Sequence, residues 1–462
     1  MEFQFIDGAN IDDSARKQIR SSVMKGRNTG KKRPRREPIR PAKPRVLLPN
    51  VAGSNRREQD GHGSSQAQTP VSRILATVGN DLTVVRYPKP LEPQMQRVIR
   101  QFMSMASTII YPKELCLDVQ ESHSIWFEYF QSDEAFFHCL LAMAQAYTDW
   151  AQGGQGESIK VMRYLSETYR CINQKLKLEG TPDDPTVAVV MSMTMHNNLL
   201  RAPGGAKVHL NALQRMVELR GGLTSFSGIF LIHKICRTDI EFSLQSGAIP
   251  RFYRDKFPYD MVRSSQIWMN ASCKAFLTAT NAHIYNIDIQ SIFRDISCAS
   301  TYMNSMRGTN QRLEPLMFQE ILIAMGYRLM RVCPLDGARN LSPADDACQL
   351  ALLAMVSTML LRKGISKLTY PSLAGLFRDS IAKIADDPTA DNGFLLWLLF
   401  LAGVSIFDVK DDAWLLLRIQ NIITSMGLRS LDDTKTVLEN YPWITYFHDE
   451  PALELWDIAT KF

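Results

Sequence analysis

TPDDPTVAVVMSMTMHNNLLRAPGGAKVHLNALQRMVELRGG, residues 181–222, is the stretch whose reading decides the fold class. Thr181-Pro182-Asp183-Asp184 has the form of a capping box with proline at the first helical position, and the apolar run that follows reaches Leu200. Pro203-Gly204-Gly205 breaks that run. Val208, Leu213, Met216 and Leu219 then recur at helical spacing, and Gly221 stands where a left-handed cap belongs. Helix, break, helix and cap predict a helical hairpin.

The same grammar extends in both directions. Val98, Phe102, Met105 and Ile109 make one helical face, Ala135 to Ala151 forms a helix that stops at Gly153-Gly154, and Ile159 to Leu178 forms one that stops at Gly180. Further helices are predicted over Ile267–Thr278 and Leu313–Val332, and from the second capping box, Ser342-Pro343-Ala344-Asp345, to about Leu361. Ala374–Ile384, Phe394–Phe407, Ala413–Met426 and Leu431–Asn440 complete the set. Asp7-Gly8 and Asp336-Gly337 lack the flanking alternation of a hairpin, and no period marks a solenoid repeat. The predicted class is all-α, a large multi-helix domain over residues 81–462. Its most apolar segment, Phe394 to Phe407, is shorter than the roughly 20 residues of a membrane span and reads as a helix buried on all sides.

Little here points to catalysis. No GxxxxGK[ST] loop occurs, and Pro203-Gly204-Gly205-Ala206-Lys207 lacks the strand a phosphate loop requires. The histidines (His62, His123, His138, His196, His209, His233, His283 and His448) never take HxxxH or HExxH spacing, and no metal ligand set or cofactor site is predicted. Asp386-Asp387 with Asp391 invites comparison with magnesium-binding terpene cyclases, but Pro388 interrupts the helix that would align those carboxylates. Asp432-Asp433 begins a second such motif and ends on Asn440 where an acid is required. Asp183-Asp184, Asp345-Asp346 and Asp411-Asp412 fall at predicted helix starts, where the helix dipole favours negative charge. The eight cysteines are scattered with no CxxC, as expected of reduced core residues in an intracellular chain, and Met1 leads into Asp7, Asp12 and Asp13 rather than a secretory signal.

Charge supplies the other signal. Residues 16–45 hold thirteen Lys or Arg and one acid, Glu37, a net +12, whereas residues 1–15 carry −4; with +6 overall, residues 46–462 sum to −2. The excess therefore sits on one segment, within a polar, proline-rich stretch (residues 1 to about 80) predicted to be a disordered arm. Lys31-Lys32-Arg33-Pro34-Arg35-Arg36 is a basic run of the nuclear-localisation kind. Arg16, Lys17, Arg20, Lys25 and Arg27, with Lys31, Lys32, Arg33, Arg35 and Arg36, are the candidate contacts for phosphates and for a nuclear import receptor. Ala15, Ile19 and Val23 recur at four-residue spacing, a short basic helix if the segment meets a partner.

Two segments carry a resemblance. RKQIRSSVMKGRNTGK (residues 16–31) is similar to the opening of a group of transcription-factor-like proteins of filamentous fungi, and KVHLNALQRMVELRGGL (residues 207–223) resembles a segment of their helical regulatory domain, the fungal-specific transcription factor domain. The resemblance implies a nuclear regulator of transcription, in a setting such as control of a biosynthetic gene cluster. Many such regulators also carry a six-cysteine zinc cluster that enters the major groove. These residues hold none, since the first cysteine is Cys116. What remains is an arm able to contact DNA phosphates non-specifically but poorly equipped to read base edges. The alternatives are a co-regulator that reaches promoters through a DNA-bound partner transcription factor, and a helical enzyme or small-molecule binder whose arm is only an address.

Overall fold

The computed structural model describes residues 87–117, 120–152, 157–178, 180–200, 202–260, 284–360, 370–409 and 412–462. The basic arm with its ten candidate contacts, the helix predicted over Ile267–Thr278, and Cys273, His62 and His283 lie outside them. Among the described residues there are fifteen α-helices, one 3-10 turn and no strand; a lone backbone bridge joins Cys116 to Leu313. The all-α expectation holds.

The first half is built from neighbouring antiparallel pairs. α1 (Pro93–Ile110) and α2 (Gln120–Ser132) lie on α3 (Glu134–Ala151), which pairs with α4 (Ile159–Leu178) and also meets α5 (Asp184–Leu199). α5 pairs with α6 (Pro203–Leu219), the hairpin read from residues 181–222. Its caps differ in detail from that reading. Asp183, not Thr181, is the N-cap of α5, accepting from Thr186 N at 2.9 Å, with Pro185 in the first turn. Pro203 opens α6 instead of merely ending α5, because a proline costs nothing where the first amide has no partner. The buried face of α6 is Ala206, His209, Leu210, Leu213, Met216 and Val217, while Val208 and Leu219 are exposed. Gly221 caps the helix at φ +92°, as predicted.

After the 3-10 turn (Leu223–Ser225), α7 (Ile229–Ser246) runs through the middle of the molecule and packs against α5, α6 and three helices of the second half: α9 (Pro315–Val332), α10 (Pro343–Leu360) and α11 (Pro371–Ala385). Every residue from Phe230 to Leu244 is buried. α8 (Ile287–Ser305) packs on α9 and α10, and α12 (Asn392–Ser405) on α10 and α11. α13 (Ala413–Ser425), α14 (Leu431–Leu438) and α15 (Thr445–Lys461) close over α12. Phe394 to Val404 is indeed buried all round, and the Trp397 indole N–H donates to Pro442 O at 3.0 Å. Among the described residues no helix is long and apolar enough to cross a membrane.

The paired aspartates serve helix starts and ion pairs. Asp184 pairs with Arg220 at 2.5 Å; Ser342 caps α10 while Asp345 accepts from Tyr285 N and Asn286 N; Asp391 and Asp412 cap α12 and α13; Ser430 and Asp433 form a reciprocal capping box on α14. Seven cysteines are buried and free, and burial pushes the thiols of Cys116, Cys139 and Cys236 up to about 12, which leaves them protonated.

Where α7 meets α9 the Ile240 side chain seats on Gly326, whose added Cβ would stand 3.0 Å from it. Gly375, exposed within α11, has nothing within 4 Å of the same added atom. Gly326→Val should therefore cost about 1–3 kcal/mol by overpacking, whereas Gly375→Ala should add roughly 0.5–1 kcal/mol through helix propensity. Urea unfolding of both variants checks the pair; equal effects would contradict the close contact.

Candidate functional site

The unusual feature of α7 is that its polar residues are as dry as its apolar ones. IFLIHKICRTDIEFSLQS places His233, Lys234, Arg237, Asp239 and Glu241 in a helix with no solvent face, and none of the five is more than 7% exposed. The helix distributes them on two sides, since 3.6 residues make a turn. Lys234, Arg237 and Glu241, at i, i+3 and i+7, share one face; His233, beside that face, and Asp239, on another, find carboxylate and phenol partners on α9, where Arg237 also reaches Gln319.

His233 and Asp239 are mostly paired, although His233 Nδ1 is buried without a partner. His233 Nε2 meets Glu320 Oε1 at 2.8 Å, and Arg254 Nε donates to the same carboxylate at 3.0 and 3.1 Å. Desolvation pushes the Glu320 carboxyl upward, but these two partners overcome it and hold it below the usual glutamate range. Asp239 is wholly buried and accepts from Arg251 N, Phe252 N and Tyr327 Oη at 2.9–3.0 Å. Burial still raises it to about 6. The chain leaves α7 through Gly247 at φ +77° and folds back so that residues 251–252 present their amides to Asp239. Asp239 thus fixes the exit of the helix.

Lys234, Arg237 and Glu241 are underpaired. Arg237 donates to Gln319 Oε1 at 3.4 Å, and Gln319 in turn donates to Ile110 O at the end of α1, 3.2 Å away. Burial raises the Glu241 carboxyl to about 7, with Arg237 and Lys234 opposing the rise. Nearby the Tyr370 hydroxyl is buried without a partner, its pKa raised first by burial and then by Glu241. Among the described residues Lys234 has no carboxylate within ion-pair distance; the face of Tyr111 lies 5.9 Å from its Nζ. Burial, then the charge of Arg237, push the Lys234 ammonium well below the ordinary lysine value, and Glu241 offsets only part of that.

Lys234 lines a cavity of about 120 Å³. Its walls are Phe102, Met103, Ala106, Ser107 and Ile110 of α1, with Tyr111 just beyond; Trp126 of α2; and Phe136, Leu140 and Met143 of α3. Met191, Ser192 and Met195 of α5 close it. The α1 side chains are half-buried, whereas Tyr111, Phe136, Leu140, Met143, Met191 and Lys234 are buried, so the charge sits at the inner end. A hollow of about 210 Å³ between α1, α3 and α4 is a mixed surface groove in which Glu92, Lys160 and Arg163 offset one another.

Residues 98–264 match the family model described as the fungal specific transcription factor domain. The matched span runs from α1 through α7, so the cavity and the buried charges lie within that domain, and it bears out the resemblance drawn from residues 207–223. The domain suggests a transcriptional regulator of fungal type. No curated protein and no solved structure matches the chain.

Sequence reading placed its site residues on the arm and passed over Lys234, Arg237 and Glu241. The available signal was a run of five ionisable residues in an apolar helix whose charges fall on more than one face.

The raised Glu241 carboxyl gives a signed pH dependence. A carboxyl whose folded pKa exceeds its unfolded one contributes stability that is full below about 4.5 and lost as pH rises through about 7. The groups facing it are Arg237 and Lys234 on α7 and Tyr370 before α11. Glu241→Gln should therefore gain stability over wild type between pH 5 and 8, on the order of 3 kcal/mol at full development. Urea unfolding at both pH values measures this, and a pH-independent difference would contradict it.

Proposed function

We propose that the chain is a nuclear transcriptional regulator. Its helical domain, residues 81–462, receives protein or effector contacts, and the basic arm of residues 1 to about 80 supplies import and non-specific DNA affinity. The observation that carries this reading is the match of residues 98–264 to the fungal specific transcription factor domain, downstream of a segment that concentrates +12 of charge in residues 16–45. A transcription-factor domain argues for regulation over catalysis, and of the carboxylates that first suggested an enzyme Asp391 and Asp433 are occupied as helix caps.

Arg16, Lys17, Arg20, Lys25, Arg27, Lys31, Lys32, Arg33, Arg35 and Arg36 are the proposed phosphate and import contacts. Residues 46–462 net −2 and offer no compensating field. Without a major-groove reader among these residues, target choice falls to a DNA-bound partner transcription factor or to a complex with it. Control of a biosynthetic gene cluster is the setting the family suggests.

Replacing Lys31, Lys32, Arg33, Arg35 and Arg36 with alanine should leave the tagged protein cytoplasmic. In vitro, DNA affinity should fall with salt at a log–log slope of about −0.9 per phosphate contacted, hence near −5 or −6 if half of the arm's cations engage. Deleting residues 16–45 should abolish that binding. Unchanged nuclear accumulation, or a sequence-specific complex that survives the deletion, would contradict the proposal.

A further inference from the structure

We infer that the cavity at the inner end of α7 is a binding site for a small apolar monocarboxylate, with the Lys234 ammonium as its counter-ion. Three observations converge on this. The first is shape: the cavity, about 120 Å³, is near the size of an engineered 150 Å³ cavity in another protein that takes benzene, and its α1 wall is only half-buried, which leaves a route in. The second is lining. Phe102, Trp126 and Phe136 present rings while Met143, Met191 and Met195 present thioethers, a surface that adapts to a flat apolar body and favours sulfur–arene contact.

The third is charge. A lysine that is 7% exposed, with no carboxylate in ion-pair distance among the described residues, is a costly feature to hold at the end of an apolar hollow. The cavity lining contains no acid: besides Lys234 its polar groups are the hydroxyls of Ser107, Tyr111 and Ser192 and the indole N–H of Trp126. A ligand carboxylate supplies the absent anion where water is scarce, and its apolar body fills the rest. A neutral ligand would give the charged form of Lys234 no counter-ion, whereas a carboxylate favours that form, and a cation would be repelled by Arg237. The buried Glu241 lies on the same helix face and competes for the same positive charge, so carboxylate binding also reaches the centre of the fold.

The inference concerns binding alone and stands whether or not the chain acts on genes. Calorimetric titration of the purified full-length protein with benzoate, benzyl alcohol and benzylamine tests it. Benzoate should bind roughly ten- to a hundredfold more tightly than benzyl alcohol, the range of a charge-assisted hydrogen bond, and benzylamine should not bind. Lys234→Met should bind acid and alcohol alike and, because it removes a buried polar group with no carboxylate partner, should melt no lower than wild type. Ala106→Phe, which fills the hollow from its half-buried wall, should abolish binding of both while keeping the charge. Absence of benzoate binding, equal affinity for acid and alcohol in the wild type, or an acid preference that survives Lys234→Met would each overturn the inference.

Discussion

A lysine, an arginine and a glutamate within eight residues of one helix are expensive to take out of water, and the rest of this molecule is arranged around having done so. α7 touches helices of both halves of the described unit, so its burial cannot be relaxed without separating α5 and α6 on one side from α9, α10 and α11 on the other. Around Glu320 and Asp239 desolvation is largely compensated: Glu320 gathers His233 and Arg254, and Asp239 gathers two amides and a phenol. Around Lys234, Arg237 and Glu241 compensation is partial. That asymmetry separates a structural polar network from one with capacity to spare.

It also gives the regulatory reading a physical form. The matched domain, residues 98–264, spans α1 through α7 and therefore holds both the hollow and the helix that leads from it to the centre. A ligand that neutralises Lys234 changes what Glu241 and Arg237 experience, and those two sit among Gln319 on α9 and Tyr370 before α11. Any signal needs two states with different affinity for the ligand. The underpaired face supplies a source for that difference.

Much of the fold was legible in the sequence because most helices follow simple grammar. Ile159–Leu178 was bounded by a polar stretch and a glycine, and Ser342 capped α10 as its spacing implied. The misreadings have local causes. Thr181 and Asp183 are both good caps two residues apart, and the side chain that reaches Thr186 N decides between them. α15 went unread because Pro451 lies inside it, and α2, α7 and α8 because polar or ionisable residues interrupt their apolar spacing. The hollow was invisible for another reason: it is assembled from α1, α2, α3, α5 and α7, and a lysine in sequence normally marks water. The arm, read from charge, composition and a resemblance over residues 16–31, lies outside the described residues.

The claim that α7 is the dry axis of the molecule is tested most directly by native-state hydrogen exchange resolved by residue. Amides from Leu231 to Leu244 should be among the slowest in the chain and should exchange only through global opening, with α1 opening at much lower free energy. Exchange of α7 through a low-energy local opening shared with α1 would contradict the account.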